Sequence, residues 1–337
     1  VNSLRAFVRD RRPGTTDPRR LGVALGRLGI AVVTVAVGTR GAPTVEGAVW
    51  LPWPAAGSDG NRGDLQPLRA ALQPIVAARY PAHVLLAPSA YRMTLLDAPP
   101  GPEREHARSI RWSLAPYLSE PVDQMAIAVF PMAGPTQAGG ARRRLAAISI
   151  RKTDLQRQRD RLLNLGFNLQ SIGIPPLALR NISIHAVPAG VNNALLSISP
   201  DLVLFSVHCG DHLVLSRQWS ARGASGRTRV VEDGSLAVEL ARSLDYCADR
   251  GFPVERLLTF AAPLDRDNAA QLREPGAAAT VPAPEPLPLV GIPGIHWQTP
   301  APSLPGQSEV TTGCLHALGA ALRGTKASAT GMEGTIA

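Results

Sequence analysis

Histidines, cysteines, serines and acids are the side chains with chemistry to offer, so their spacing comes first. The chain holds seven histidines. Only His208 and His212 are close enough in sequence to act together, and they carry Asp211 between them. Such a trio can ligate a metal or exchange protons near neutral pH. The pair straddles Gly210-Asp211, which reads as a tight turn, and histidines beside a turn are ordinarily solvated. Cys209, Cys247 and Cys314 lie far apart and form no Cys-x-x-Cys pair. Free thiols in apolar or helical surroundings behave as small hydrophobes. Ser89 and Ser206 lack the glycine-flanked elbow of a serine nucleophile. Asp97 and Glu120 have no evident partner. The sequence thus assigns no catalytic residue and no metal ligand set.

The elements that would position any site follow from periodicity and punctuation. The organising stretch is 171–217. It reads as a short strand, a helix and a strand pair. Pro175 and Pro176 start the helix, where a missing N–H costs nothing. Leu177, Leu179 and Ile182 give it apolar positions. Apolar runs at 194–198 and 202–207 flank a Ser-Pro-Asp break, and Leu213, Val214 and Leu215 continue past the Gly-Asp turn.

Before this stretch, residues 21–37 give two short strands around a glycine-marked turn, and 45–51 gives a third. A helix at 65–78, a strand at 83–87, a strand-like 90–98 and a helix at 103–117 follow. Ala107, Ile110, Leu114 and Tyr117 recur at helical spacing, and Trp112 lies off that face beside Arg111. Trp112 therefore fits a partner contact or packing at a domain edge. Strands are expected at 125–130 and 145–150. The next helix is capped by Thr153 or Asp154 and ended by Gly166. After the organising stretch come a helix at 236–250, a strand at 254–261, a short helix at 265–272, a Pro/Ala-rich linker at 275–289, a strand at 289–297 and a closing helix at 310–323. Alternating strands and helices define an α/β protein.

A chain of 337 residues, 45% hydrophobic, is long enough for two lobes with buried cores. No window holds the roughly 18 consecutive apolar residues of a spanning helix, and no signal peptide is visible. The expected location is cytoplasmic. The net charge is +9, with arginine clusters at Arg5, Arg9, Arg11, Arg12, Arg19 and Arg20 and at Arg142, Arg143 and Arg144. Aromatics are 4% of the chain and no nucleic-acid module is present, so nucleic acid is not the expected partner. Residues 1–20 read as a basic flexible arm, suited to an anionic membrane surface if it binds anything. Residues 324–337 read as a flexible tail.

The segment IPPLALRNI at 174–182, followed by a strand–turn–strand ending at Arg217, resembles the MshI proteins of MSHA-type type IV pilus biogenesis. These are relatives of PilM and, more distantly, of the actin-like FtsA and GspL proteins. Residues 85–123, LAVELARSLDYC at 236–247 and GCLHALGAALRG at 313–324 resemble further segments of the family in the same order. The resemblance covers roughly 20–323. It implies an α/β, actin-like (ribonuclease-H-like), two-lobed fold with a small inserted subdomain. The first lobe would be 21–172 with the insertion at about 90–132, and the second 173–323 with the closing helix 310–323.

Actin-like ATPases cradle nucleotide between the lobes with glycine turns and hold Mg²⁺ through carboxylates. The family's first turn, Gly-Ile-Asp-Ile-Gly, corresponds to Gly22-Val23-Ala24-Leu25-Gly26, with Ala24 in place of the acid. The second turn, an Asp-x-Gly, is expected around Leu204, Phe205, Ser206 and Val207, where no acid stands before Asp211. The late Gly-Gly turn corresponds to Ala261-Ala262-Pro263. A methyl group cannot hold Mg²⁺ and Pro263 has no N–H. The vestigial nucleotide-binding set is therefore Gly22, Ala24, Gly26 and Gly210, the expected cofactor is none in place of ATP and Mg²⁺, and the chain reads as a pseudo-ATPase.

The resemblance to PilM also implies a partner. PilM grips the cytoplasmic N-terminal tail of a bitopic inner-membrane protein, PilN, beside the inserted subdomain. Here that groove would be lined by Tyr91, Arg92, Arg111, Trp112 and Tyr117. The expected function is a scaffold of pilus biogenesis, peripheral at the inner membrane through a PilN-like or MSHA-equivalent partner, with self-association left open. One alternative is an active PilM-like ATPase, for which Gly22 and Gly26 speak. Another is a GspL-like component of type II secretion. GspL proteins continue into a membrane helix, and the residues up to Ala337 hold no such stretch.

Overall fold

A computed structural model describes residues 18–38, 42–54, 64–99, 103–134, 144–199, 202–220, 235–261, 282–290, 292, 295–298 and 308–325. Two sheets of the same design make the frame. In the first, β1 (Arg19–Leu25) pairs antiparallel with β2 (Gly29–Ala36), and β2 pairs antiparallel with β3 (Thr44–Pro52). After α1 (Gln66–Val76), β4 (Pro81–Leu85) returns parallel to β1. The apolar run of β2 is buried along nearly its whole length, as a strand covered on both faces requires.

An excursion interrupts this lobe. It comprises β5 (Arg92–Asp97), α2 (Glu103–Leu114), β6 (Met125–Pro131) and β7 (Arg144–Arg151). The three strands form their own sheet, in the order β5-β7-β6. Ile110 and Leu114 of α2 pack onto Met125, Ile127, Leu145 and Ala147. The subdomain therefore extends through β7 to Arg151, beyond the expected 132. A strand's burial pattern is the same in either sheet, so its sequence does not say which sheet it joins. The chain then re-enters the first lobe by α3 (Lys152–Asn164) and β8 (Asn168–Gly173), which pairs parallel with β4.

The second lobe repeats the first. After α4 (Pro175–Ala186), β9 (Asn192–Ile198), β10 (Leu202–Cys209) and β11 (His212–Ser220) form an antiparallel meander. Then α5 (Ser235–Ala248) leads to β12 (Arg256–Ala261), parallel to β9 as β4 is to β1. Helix α5 covers the outer face of this sheet, where Leu236, Leu240 and Leu244 meet Val203, Phe205 and Val207. Between the two sheets lie α4 and α6 (Ser308–Ala321), and one core joins Val33 and Val35, Leu179 and Ile182, Leu195 and Leu204, and Leu315 and Leu318.

Several local expectations change. Helix α3 starts at Lys152 with no side-chain cap, and Asp154 sits within its first turn, where a negative charge suits the helix dipole. Gly166 does end it, at φ +93°. The expected strand at 289–297 contracts to β14 (His296–Trp297) beside β3, and β13 (Pro284–Pro286) pairs parallel with β12. Prolines at 284, 286 and 288 confine this segment to a sheet edge. Arg19 and Arg20, expected in the flexible arm 1–20, instead open β1. The expected helix 265–272, residues 1–17 of the arm, residues 326–337 of the expected tail, Arg142 and Arg143 lie outside the described residues. Among the described residues no helix is long and apolar enough to cross a membrane.

Candidate functional site

Two places merit a chemical reading: the facing hairpin tips of the two lobes, and the junction of subdomain and second lobe. At the first tip the Gly26 N–H donates to the Gly29 carbonyl at 2.9 Å. At the second the Ser199 N–H donates to the Leu202 carbonyl, also at 2.9 Å. Leu25 faces Ile30 across one hairpin as Ile198 faces Val203 across the other. By this repeat Gly26 corresponds to Ser199, and Ala24 to Ser197. The counterpart of the second nucleotide turn is thus 197–199, whereas residues 204–207, where the sequence reading put it, lie inside β10.

Ala24 and Ser197 are both buried and neither is an acid; Asp201, in the turn after Ser199, lies outside the described residues. Ala24 belongs to the shared core. Ser197 is buried and its Oγ lies 3.4 Å from Nε2 of His316 on α6. Thr312, also on α6, donates to the Ile198 carbonyl at 3.3 Å. Gly22 stands within β1, where a Cβ would come 1.7 Å from the Ala317 carbonyl oxygen. It is glycine because α6 crosses there. Gly210 turns β10 into β11 at φ +58° in open space. It stands at the opposite end of β10 from Ser199, roughly 25 Å away for a strand of this length. Gly26 and Gly210 therefore do not share a site. Ala262 and Pro263 lie outside the described residues. Among the described residues no three His, Cys, Asp or Glu side chains are grouped to hold a metal ion.

At the second place, a one-turn helix at Pro88–Ala90 delivers Tyr91 into a core with Leu86, Ile148, Ile150 and Ile174. Arg92 opens β5, exposed, and its guanidinium donates to the Tyr117 carbonyl at 2.7 Å. Arg111 donates to the Val122 carbonyl at 3.2 Å and so fastens α2 to the turn before β6. Tyr117 is 53% exposed and Trp112 75% exposed. The five expected groove residues thus divide. Tyr91 and Arg92 line a cavity of about 310 Å³, together with Met93, Pro176, Ser216, Arg217 and Gln218. Tyr117 reaches this group only through its hydrogen bond to Arg92, and Arg111 and Trp112 stand outside the lining.

The cavity exists because the subdomain leans on β11. Leu213 packs with Met132, Ala146 and Met93, and the Ala133 N–H donates to the Leu213 carbonyl at 2.9 Å. Beyond that bond β11 runs on as the edge of its sheet. Main-chain groups alternate sides along an antiparallel strand, and the extra residue Val214 of the bulge inverts the alternation, so beyond it those of Ser216 and Gln218 point outward as Leu213's do. Pro176, Ser216, Arg217 and Gln218 escaped the sequence reading. The available signal was the switch from Leu213-Val214-Leu215 to Ser216-Arg217-Gln218 within one strand.

Beside β11 the neighbouring strand β10 buries two polar residues. Ser206 is the cross-strand partner of Ser216, so the two share a sheet face. Ser206 and His208 are both 0% exposed, and neither the serine hydroxyl nor either imidazole nitrogen has a hydrogen-bond partner. His208 is not the solvated turn residue expected from sequence. A bulge between Val207 and His208 shifts the ladder just before the turn. Burial, reinforced by the Arg180 charge, pulls its pKa down to about 3 and keeps the ring neutral. His212 is the one at the surface, with Nε2 3.2 Å from Asp211.

No protein-family model and no curated protein sequence matches the chain. Among solved structures it is similar to the PilM–PilN type IV pilus biogenesis complex, at 17% identity and a TM-score of 0.65 over 91% of this chain and 98% of that one. It is also similar to the cytoplasmic domain of EpsL, an inner membrane component of the type II secretion system of Vibrio cholerae, at 15% identity and a TM-score of 0.48 over 89% and 94% of the two chains. Similarity at such identities is similarity of fold. The fold is actin-like, with two lobes of repeated topology.

Proposed function

We propose that the chain is a scaffold of type IV pilus biogenesis, of the MshI and PilM kind, that holds an extended cytoplasmic tail of a bitopic inner-membrane protein. The observation that carries this reading is the cavity of about 310 Å³ between β5 and β11, lined by Tyr91 and Arg92 from the expected groove. An extended tail gains main-chain hydrogen bonds along β11, the edge strand of its sheet among the described residues, and sets alternate side chains into the cavity. Met93, Pro176 and the Tyr91 ring supply apolar walls. The protein then sits at the cytoplasmic side of the inner membrane through its partner. The fold shared with the PilM–PilN complex supports the reading.

The scaffold works without nucleotide turnover. Ala24 and Ser197 occupy the two tip positions where an ATPase of this fold needs acids. A methyl and a neutral hydroxyl supply no charge to hold a hard dication. Isothermal titration of the protein with Mg-ATP, beside a synthetic peptide of the tail of a bitopic pilus protein encoded next to it, tests both halves. Peptide heat without ATP heat is the expected result. Micromolar ATP binding would overturn the pseudo-ATPase reading, and absence of peptide binding would overturn the adaptor reading.

A further inference from the structure

Strand β11 has different chemistry on its two faces, and a chain added to its edge must match both. Beyond the bulge, Leu215, Arg217 and Trp219 alternate with Ser216 and Gln218. Leu215 and Trp219 pack into the core under α5, with Leu240 and Leu244. Arg217 shares that face, and its guanidinium lies 3.5 Å from Glu239 on α5. Ser216 and Gln218 take the opposite face, where Pro176 of α4 joins them in lining the cavity. Side chains alternate faces along a strand, so one partner side chain cannot serve both groups.

The charge on the α5 face is unbalanced. Among the described residues Glu239 is the only carboxylate within 4 Å of Arg217, and it is held more closely by Arg242, at 2.9 Å. One carboxylate thus answers two guanidinium groups. A guanidinium has five N–H donors and retains some after a single such contact. The outward main-chain groups belong to Ser216 and Gln218, on either side of Arg217. A strand added antiparallel therefore bonds at those two residues and sets one residue opposite Arg217 in a pair without main-chain bonds. Such pairs bring side chains closest, with Cα atoms about 4.5 Å apart. Whichever way the added strand runs, the residue opposite Arg217 presents its side chain to the α5 face, and its two neighbours present theirs to the cavity.

We infer that β11 selects an acidic residue at the position opposite Arg217, on the α5 face, flanked by two residues whose side chains enter the cavity. The inference rests on the adaptor reading above and names the chemistry that chooses the partner. The acid completes an alternating run of Arg242, Glu239, Arg217 and the incoming carboxylate. Tyr91, Met93 and Pro176 give the flanking side chains apolar walls. Opposite charges directly across a strand pair stabilise it and like charges weaken it. Main-chain pairing is blind to sequence, so this charge supplies register and choice.

The test uses the full chain and the synthetic tail peptide of the titration above, with Glu and then Lys placed at each peptide position in turn. One position should prefer Glu over Lys by about fivefold, the scale of a cross-strand attraction replaced by a repulsion. Arg217→Gln should remove that preference while melting like the unchanged protein, and Arg217→Glu should reverse it. Arg92→Gln, on the cavity side, should weaken every peptide and leave the preference intact. A preference of equal size at every position would come from the net charge of +9 and would refute selection by Arg217. Its survival in Arg217→Gln, or its loss in Arg92→Gln, would overturn the assignment too. Tight binding with no charge-sensitive position refutes this inference alone. If no peptide binds, the adaptor reading fails and the inference falls with it.

Discussion

Single residues here carry more packing meaning than catalytic meaning. The family resemblance offers Gly22 as a phosphate-cradling glycine, yet the Ala317 carbonyl oxygen of α6 occupies the space its side chain would need. Gly22→Ala should therefore destabilise the fold by about 3 kcal/mol or more through forced displacement of α6. Its effect would appear in thermal unfolding with no nucleotide present; an unchanged melting temperature would return the glycine to a ligand role. Asn181 is a second such residue. It is buried on α4 and its Nδ2 donates to the Gly319 carbonyl at 2.8 Å. Asn181→Ala leaves that carbonyl unsatisfied and should cost about 1–3 kcal/mol in denaturant unfolding.

Among the elements, α2 and β13 are attached in different ways, and substitution should expose the difference. Helix α2 holds to its sheet through Ile110 and Leu114, while Trp112 faces solvent. Trp112→Ala should change stability by less than about 0.5 kcal/mol. Because Trp112 stands outside the cavity lining, affinity for the tail peptide should also hold, whereas Arg92→Gln should weaken it. A large loss of affinity in Trp112→Ala would move the docking groove from β11 to α2. Strand β13 is clamped to β12 by a fork from Arg256 to Glu285, with the Arg256 Nε 3.0 Å from the carboxylate. The pair draws Glu285 below the usual carboxylate range, first through that hydrogen bond. Both partners are largely solvated, so Glu285→Gln should lower stability by less than about 1 kcal/mol.

The whole molecule is acid-sensitive by construction. Burial pulls His83 and His208 down to about 3 and His316 to about 4. Arg20 and Arg323 add to the effect at His83, and Arg180 at His208. In the unfolded chain each imidazole titrates near 6.5. Below about pH 6.5 the unfolded state takes up protons that the folded state refuses, so stability falls as pH drops from there toward 3 to 4. Above pH 6.5 all three rings are neutral in both states and the effect vanishes. Denaturant midpoints should be flat between pH 7 and 8 and decline steadily from pH 6.5 to 5. A midpoint independent of pH over that lower range would show that these rings are hydrated in solution.

The order of elements and the fold class were legible in the chain because they rest on local signals. Pro175-Pro176 opens a helix and Gly166 closes one wherever they stand, and apolar spacing separates strand from helix without reference to neighbours. That residue 24 is an alanine and not an acid was equally local. Tertiary structure decided what local signals leave degenerate. It put β7 in the subdomain sheet, because a buried strand fits either sheet. It made Gly22 a point of contact with α6, which arrives from nearly 300 residues later in sequence. It buried His208 between β9 and β11, although a turn follows close behind it in sequence. It also brought Tyr91 to Met93, Pro176 and Ser216 to Gln218 around one cavity, a site written in three separate segments and assembled only when the subdomain packs against the edge of the second lobe.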